Sequence, residues 1–149
     1  NKVKYIAPFV YMIHGVDSLK LLQTINRQGA SNNRKIRCLL QVHIAMEETK
    51  FGLDHTELNS LLQAISGEDM LENVQICGLM GMASFSNDIS LVRKEFNNLK
   101  HIFDEVKEKF FYHDDQFTVL SMGMSGDYQV AIDEGSTLVR IGSLLFGAR

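Results

Sequence analysis

Five runs of strand length, apolar almost throughout, constrain this chain more than any other feature. They lie at residues 11–16, 36–44, 74–82, 117–122 and 138–141. None alternates polar with apolar residues, as a strand with one wet face would. Continuous apolar runs of this length suit parallel strands covered on both faces. The segments between them carry helical signals. The first opens at Asp17 or Ser18, sets Leu19, Leu22 and Ile25 on one face, and stops before Gly29. The second opens at Asp54 with Glu57 three residues later, the pattern of a capping box, and ends at Gly67. The third runs from near Ser86 to about Phe110. Its Val92, Phe96, Leu99, Phe103, Val106 and Phe110 fall at spacings of four and three, a core stripe facing a sheet. The fourth spans about 126–134 and ends at Gly135, a residue suited to a left-handed cap. Four helical crossovers joining five strands predict a parallel α/β fold with right-handed connections. Periodicity alone fits an open doubly wound sheet and most of an eight-stranded barrel equally well.

Composition bounds the rest. A chain of 149 residues, 45% hydrophobic and 22% charged, suits one domain or part of one. It starts at Asn1, inside a short helical stretch at 2–6, and stops abruptly at Arg149, so it reads as a piece of something longer. A net charge of −3 without a basic stripe argues against nucleic-acid binding, which needs clustered Lys and Arg to displace counterions. No apolar run reaches the length of a membrane span, and no leader pattern opens the chain. Cys38 and Cys77 each sit in an apolar run without a CxxC partner, as small hydrophobes of a reducing, cytoplasmic protein do. No cluster has metal-ligand spacing, so no metal is expected, and neither a GxSxG elbow nor a Walker loop appears. The polar stretch 28–35 reads as a surface turn and 47–50 as a solvated charged loop.

Parallel α/β folds place their sites at the carboxyl ends of the strands. One such end is Leu120-Ser121-Met122-Gly123-Met124-Ser125-Gly126-Asp127, a strand running through a small turn into a helix. Ser125 is placed to cap that helix, beside amides that attract an anion. The other is Val139-Arg140-Ile141-Gly142-Ser143, where Gly142 allows close approach to the backbone and the Gly142 and Ser143 amides can face an oxyanion. Arg140 interrupts an apolar strand, and a buried guanidinium needs a partner, for which a structural carboxylate is one candidate. These turns end consecutive strands and are therefore neighbours. Paired anion-friendly turns after the last two strands are where many (β/α)-barrels bind phosphate. His14 and His43, also near strand ends, read as structural residues.

The two turns, with Gly135-Ser136-Thr137 between them and Phe146-Gly147-Ala148-Arg149 after, closely resemble the signature of the pyridoxal-phosphate homeostasis proteins. That family is related to the alanine racemase N-terminal barrel. Further segments agree along the chain, among them His14-Gly15-Val16-Asp17-Ser18, Glu48-Thr49-Lys50-Phe51-Gly52 and Gly78-Leu79-Met80-Gly81-Met82. The resemblance implies a partial (β/α)8 TIM-type barrel, with residues 1–149 as the C-terminal portion of one domain. It implies that pyridoxal 5'-phosphate is held through its phosphate by the Ser125 hydroxyl and by the amides of Gly142 and Ser143, with the Ser143 side chain helping. Arg140 would face the pyridine nitrogen. The family's cofactor-anchoring lysine lies on a strand before Asn1, and none of the nine lysines here falls at the carboxyl end of a predicted strand. For this chain alone the expectation is no covalent cofactor, no catalytic residue, and at most a phosphate or sulfate at those positions. His43 stands where the family usually has Asn, and Gly15 where Ser is common. The resemblance implies a cytoplasmic cofactor carrier whose partners are pyridoxal phosphate and apo-enzymes. The alternative is a pyridoxal-phosphate-dependent amino-acid racemase. Five strands of a barrel also leave two edges open to self-association.

Overall fold

The computed structural model describes residues 2–47, 51–66 and 71–147. Five strands, β1 (Met12–Val16), β2 (Ile36–His43), β3 (Val74–Met82), β4 (Val119–Met124) and β5 (Leu138–Arg140), form one all-parallel sheet in the order 1-2-3-4-5. Helices α1 (Val3–Ile6), α2 (Leu19–Ser31), α3 (His55–Ile65), α4 (Ile89–Phe110), α5 (Tyr128–Asp133) and α6 (Ser143–Phe146) complete the chain. The strand order resolves what periodicity left open. A doubly wound sheet reverses its order at a switch point, whereas here each crossover steps one place in the same direction. The sheet is therefore a (β/α) half-barrel, part of a TIM-type barrel.

Packing follows from that geometry. The buried residues of the helices join those on one face of the sheet, including Ile36, Cys38, Leu40, Ile76, Leu120 and Met122, in one core cluster. The opposite face holds a separate cluster built of strand residues alone, Leu39, Cys77 and Met80 with Met12, Met82 and Val119 against them. Helix α4 supplies Phe96 and Leu99, both fully buried, and the burial of each such side chain stabilises the fold by about 1.5–3 kcal/mol. The Asp54–Glu57 capping box is present, with each side chain accepting a hydrogen bond from the other's amide at 2.8 and 2.9 Å. Gly135 has φ of 95° just past α5, as its position predicts.

Several boundaries differ from expectation. Helix α2 runs through Gly29 to Ser31. That glycine is there for packing, since a Cβ would stand 2.8 Å from the Arg34 carbonyl oxygen and 2.9 Å from Asn73. The stretch 28–35 is not a plain surface turn. Four of its residues belong to α2, and Arg34 donates to the carbonyls of Ala7 and Val10 at 2.5 and 2.7 Å, fastening the α1–β1 connection. Strand β4 begins and ends two residues later than 117–122, and β1, β2 and β5 are each one residue shorter than expected. Helix α4 starts at Ile89, capped by Asp88. Gly67, expected to end α3, and residues 48–50 lie outside the described residues.

Two predictions arise here. Strands β1 and β5 each pair with only one neighbour among the described residues, and Leu145 and Phe146 beyond β5 are 70% and 86% exposed. Open edges template pairing with other chains. The isolated chain is therefore expected to elute above its monomer mass in size-exclusion chromatography, and a sharp monomer peak would contradict this. Cys38 is fully buried, and burial, with the neighbouring Cys77, pushes its thiol from 9.0 up to about 12. The unfolded thiol loses its proton first as pH rises, so this contribution to stability is intact below about pH 9 and declines between 9 and 12. The slope is about 1.4 kcal/mol per pH unit. Denaturant midpoints from pH 9 to 10.5 should fall more steeply for the wild type than for Cys38→Ala.

Candidate functional site

The carboxyl ends of β3, β4 and β5 enclose a hollow of about 460 Å³. Its walls are the loop at 83–87, the turn at 124–127 and the segment around Arg140, Gly142 and Ser143. All four residues singled out from the sequence, Ser125, Arg140, Gly142 and Ser143, line it.

Local sequence explains the convergence. Ser136 and Thr137 stitch the start of β5 to β4. The Ser136 hydroxyl donates to the Met122 carbonyl at 2.7 Å, and the Leu120 amide donates to Thr137 Oγ1 at 2.8 Å. The turn after β4 is closed by Asp127, whose Oδ1 accepts the Met124 amide at 2.6 Å. Asp127, not Ser125, stands at the N-cap of α5, and it makes no side-chain cap bond. The expected capping role of Ser125 is thus incorrect. Its Oγ instead accepts the amides of Gly142 at 3.1 Å and Leu144 at 3.4 Å, bridging the two turns. A serine already used by the amides of the next loop cannot also cap its own helix. A Cβ built on Gly126 or on Gly142 would meet nothing within 4 Å, so the backbone is open to a ligand at both.

Arg140 is half-buried, and among the described residues no carboxylate is its hydrogen-bond partner. It donates to Ser121 Oγ at 2.8 Å and, at 3.3 Å, to the carbonyls of Ser121 and Gly81, so it reaches across β4 to β3. Burial lowers the guanidinium below the usual arginine range, and the Asp127 carboxylate pulls in the opposite direction. His14 lies near enough to feel that charge. Burial first, and Arg140 second, lower its imidazole below the ordinary histidine value, which favours the neutral ring. His43 turns away to the 44–47 loop, where Nε2 pairs with the Glu47 carbonyl at 2.9 Å. Of the 47–50 stretch only Glu47 is among the described residues, and its side chain accepts the Phe85 amide at 2.9 Å.

Sequence reasoning missed the third wall. Residues 83–87 carry no motif, and what holds them, Glu95, looks like one more surface acid of a long helix. The available signal was its phase, because Val92, Glu95, Leu99, Ile102 and Val106 share one face, all buried. Among the described residues no group of acids, histidines and cysteines is placed to hold a metal ion, and no helix is long and apolar enough to cross a membrane. The described lysines lie in helices, at the N-cap of α1 or just before β2, not at the carboxyl end of a strand.

The fold is that of a (β/α)-barrel protein, with a candidate site at the carboxyl ends of the strands. The chain belongs to the family described as "Alanine racemase, N-terminal domain", whose pattern matches residues 4–149. Within that family it is 38% identical, over its whole length, to a pyridoxal phosphate homeostasis protein of Aquifex aeolicus and 35% identical to the Homo sapiens protein of the same name. It spans 63% and 54% of the length of these two relatives. The structure of PipY from Synechococcus elongatus PCC7942 with PLP bound superposes with a TM-score of 0.86 at 31% identity, over 99% of this chain and 66% of that one. An alanine racemase of Clostridium difficile 630, at 19% identity and a TM-score of 0.75, shares the fold, with 99% of this chain and 39% of that one aligned.

Proposed function

We propose that this chain is the C-terminal portion of a single (β/α)-barrel domain that binds pyridoxal 5'-phosphate. The parent protein buffers the cofactor in the cytoplasm and passes it to apo-enzymes. The observation that carries this reading is the convergence of the Gly142 and Leu144 amides on the Ser125 hydroxyl oxygen. A phosphate oxygen is a stronger acceptor than a hydroxyl, and charge-assisted hydrogen bonds are about twice as strong as neutral ones. In this reading the phosphate takes amides of the 142–144 turn, and the Ser125 hydroxyl swings to donate to it. The Gly142 and Ser143 amides and the Ser143 side chain complete the grip. The open backbone at Gly126 and Gly142 fits a bulky dianion, as a Cβ there would intrude on it.

Arg140 faces the pyridine nitrogen in this arrangement. A guanidinium there keeps a proton off that nitrogen, because two positive groups repel. Bound cofactor supplies an aldehyde and an aromatic ring, and such an unprotonated ring is a poor electron sink, which suits carriage or racemization better than transamination. Racemization on this scaffold needs a second acid/base opposite the ring. Among the described residues no tyrosine lines the hollow, Tyr128 opening α5 outside it, and carriage is the reading we favour over racemization.

The full-length protein is expected to bind pyridoxal phosphate with a change in its near-ultraviolet absorbance. Absence of binding in equilibrium dialysis would leave only a generic phosphate-binding barrel. Sustained racemization of single-enantiomer amino acids would replace the carrier with an enzyme. The chain on its own should retain at most phosphate or sulfate.

A further inference from the structure

Behind the 83–87 wall of the hollow lies a buried acid that no part of the cofactor reading uses. Glu95 projects from the first turns of α4, is only 4% exposed, and meets neutral donors. Its Oε2 accepts the Ser84 amide at 2.7 Å, and its Oε1 accepts the Ser84 hydroxyl at 2.7 Å and the Met46 amide at 3.0 Å. The Ser84 hydroxyl oxygen also accepts the Met46 amide at 3.2 Å. From the other side, Glu47 Oε1 accepts the Phe85 amide. One carboxyl group on a rigid 22-residue helix thus ties the loop after β2 to the loop after β3.

Burying a carboxyl group is costly unless every lone pair finds a donor. Here that cost is met at the back of the 83–87 loop, which lines the same hollow as the Ser125 turn. We infer that Glu95 is a positioning residue. It fixes the 83–87 loop at the distance that makes this loop a third binding wall for the phosphorylated end of the ligand, opposite Ser125 and Gly142. The wall acts through placement, because the Ser84 and Phe85 amides are directed back to Glu95 and Glu47, which hold the loop where it lines the hollow.

The inference rests on the cofactor reading, and one comparison separates the two. Pyridoxal and pyridoxal phosphate share ring and aldehyde and differ only in the phosphate. Their affinity ratio in the full-length protein therefore reports the phosphate wall, not overall stability. Glu95→Leu leaves the Ser84 amide and hydroxyl without their acceptor and the Met46 amide with only the Ser84 hydroxyl oxygen, and the preference for the phosphorylated form should shrink about tenfold. Glu95→Gln keeps one acceptor oxygen for the Ser84 amide, while its NH2 group can donate to the Ser84 hydroxyl oxygen. It should preserve the preference to within about threefold. Val106→Ala, buried at the far end of the same helix, should lower the melting temperature and leave the ratio unchanged. A wild-type ratio in Glu95→Leu would overturn the inference while leaving the cofactor reading intact. A wild-type protein that binds both compounds equally would overturn the cofactor reading and, with it, the ligand role of this wall. Amide exchange at Met46 and Ser84 tests the latch directly, and unchanged exchange in Glu95→Leu would overturn it as well.

Discussion

Gly78→Ala is expected to leave the chain unable to fold. Gly78 sits in the middle of β3, opposite Val119 of β4 and beside an irregularity in the β2 pairing. Its φ is +153°, and a Cβ there would stand 1.8 Å from the Val119 carbonyl oxygen. The obstacle is backbone, not the end of a flexible side chain, so relief requires prising β4 away from β3. Costs above about 4–5 kcal/mol are exceptional for single substitutions and arise from such mechanisms. Against a total stability of about 5–15 kcal/mol, such a loss removes most of the folded population. The variant should be insoluble or lack a cooperative denaturant transition. Gly126→Ala, which meets open space, should unfold within about 0.5 kcal/mol of wild type. A Gly78→Ala protein with a near-normal midpoint would mean that β3 and β4 do not approach as described.

Ser125→Asp carries the second large effect, on ligand binding in the full-length protein. The Ser125 oxygen lies at the meeting point of two turns, within hydrogen-bond reach of the Gly142 and Leu144 amides. An aspartate there takes those amides permanently and sets a negative charge against the incoming dianion. Two unit charges 4 Å apart near a protein surface repel by about 4 kcal/mol. Pyridoxal phosphate affinity should fall at least a hundredfold. Ser125→Ala removes one donor to a charged group, worth about 1.5 kcal/mol at the low end of the range for such bonds, and should cost about tenfold. Pyridoxal, lacking the phosphate, should bind both variants about as well as wild type. Isothermal titration with the two compounds checks this. Unchanged phosphate-ester binding by Ser125→Asp would remove the 124–127 turn from the site.

Much of the fold was legible because each element carries its own local signal. The runs at 36–44 and 74–82 suited strands covered on both faces, and the Asp54–Glu57 pair marked the start of α3. The four candidate site residues were legible for a related reason. Consecutive parallel strands are neighbours, so turns that follow them in the chain meet in space. Signals failed where one residue type serves two purposes. Gly29 looks like a terminator and is a packing contact, and Ser125 looks like a cap and is a bridge. Arg140 found carbonyl and hydroxyl oxygens instead of a carboxylate, because the strand next to it offered Ser121 and the one beyond offered the Gly81 carbonyl.

The sequence by itself determined the five strands, the helices that join them and the parallel pairing they demand, and it pointed to the two turns as candidates for an anion, since these depend on periodicity and on short-range backbone chemistry. Periodicity left open sheet and half-barrel undecided, the resemblance implied the barrel, and the strand order bears that out; only the tertiary structure gave Ser125 its partners and revealed Glu95 behind the third wall. Those outcomes depend on which groups from distant segments come within about 3 Å of one another, the range over which hydrogen bonds act. No local pattern in the chain encodes that distance.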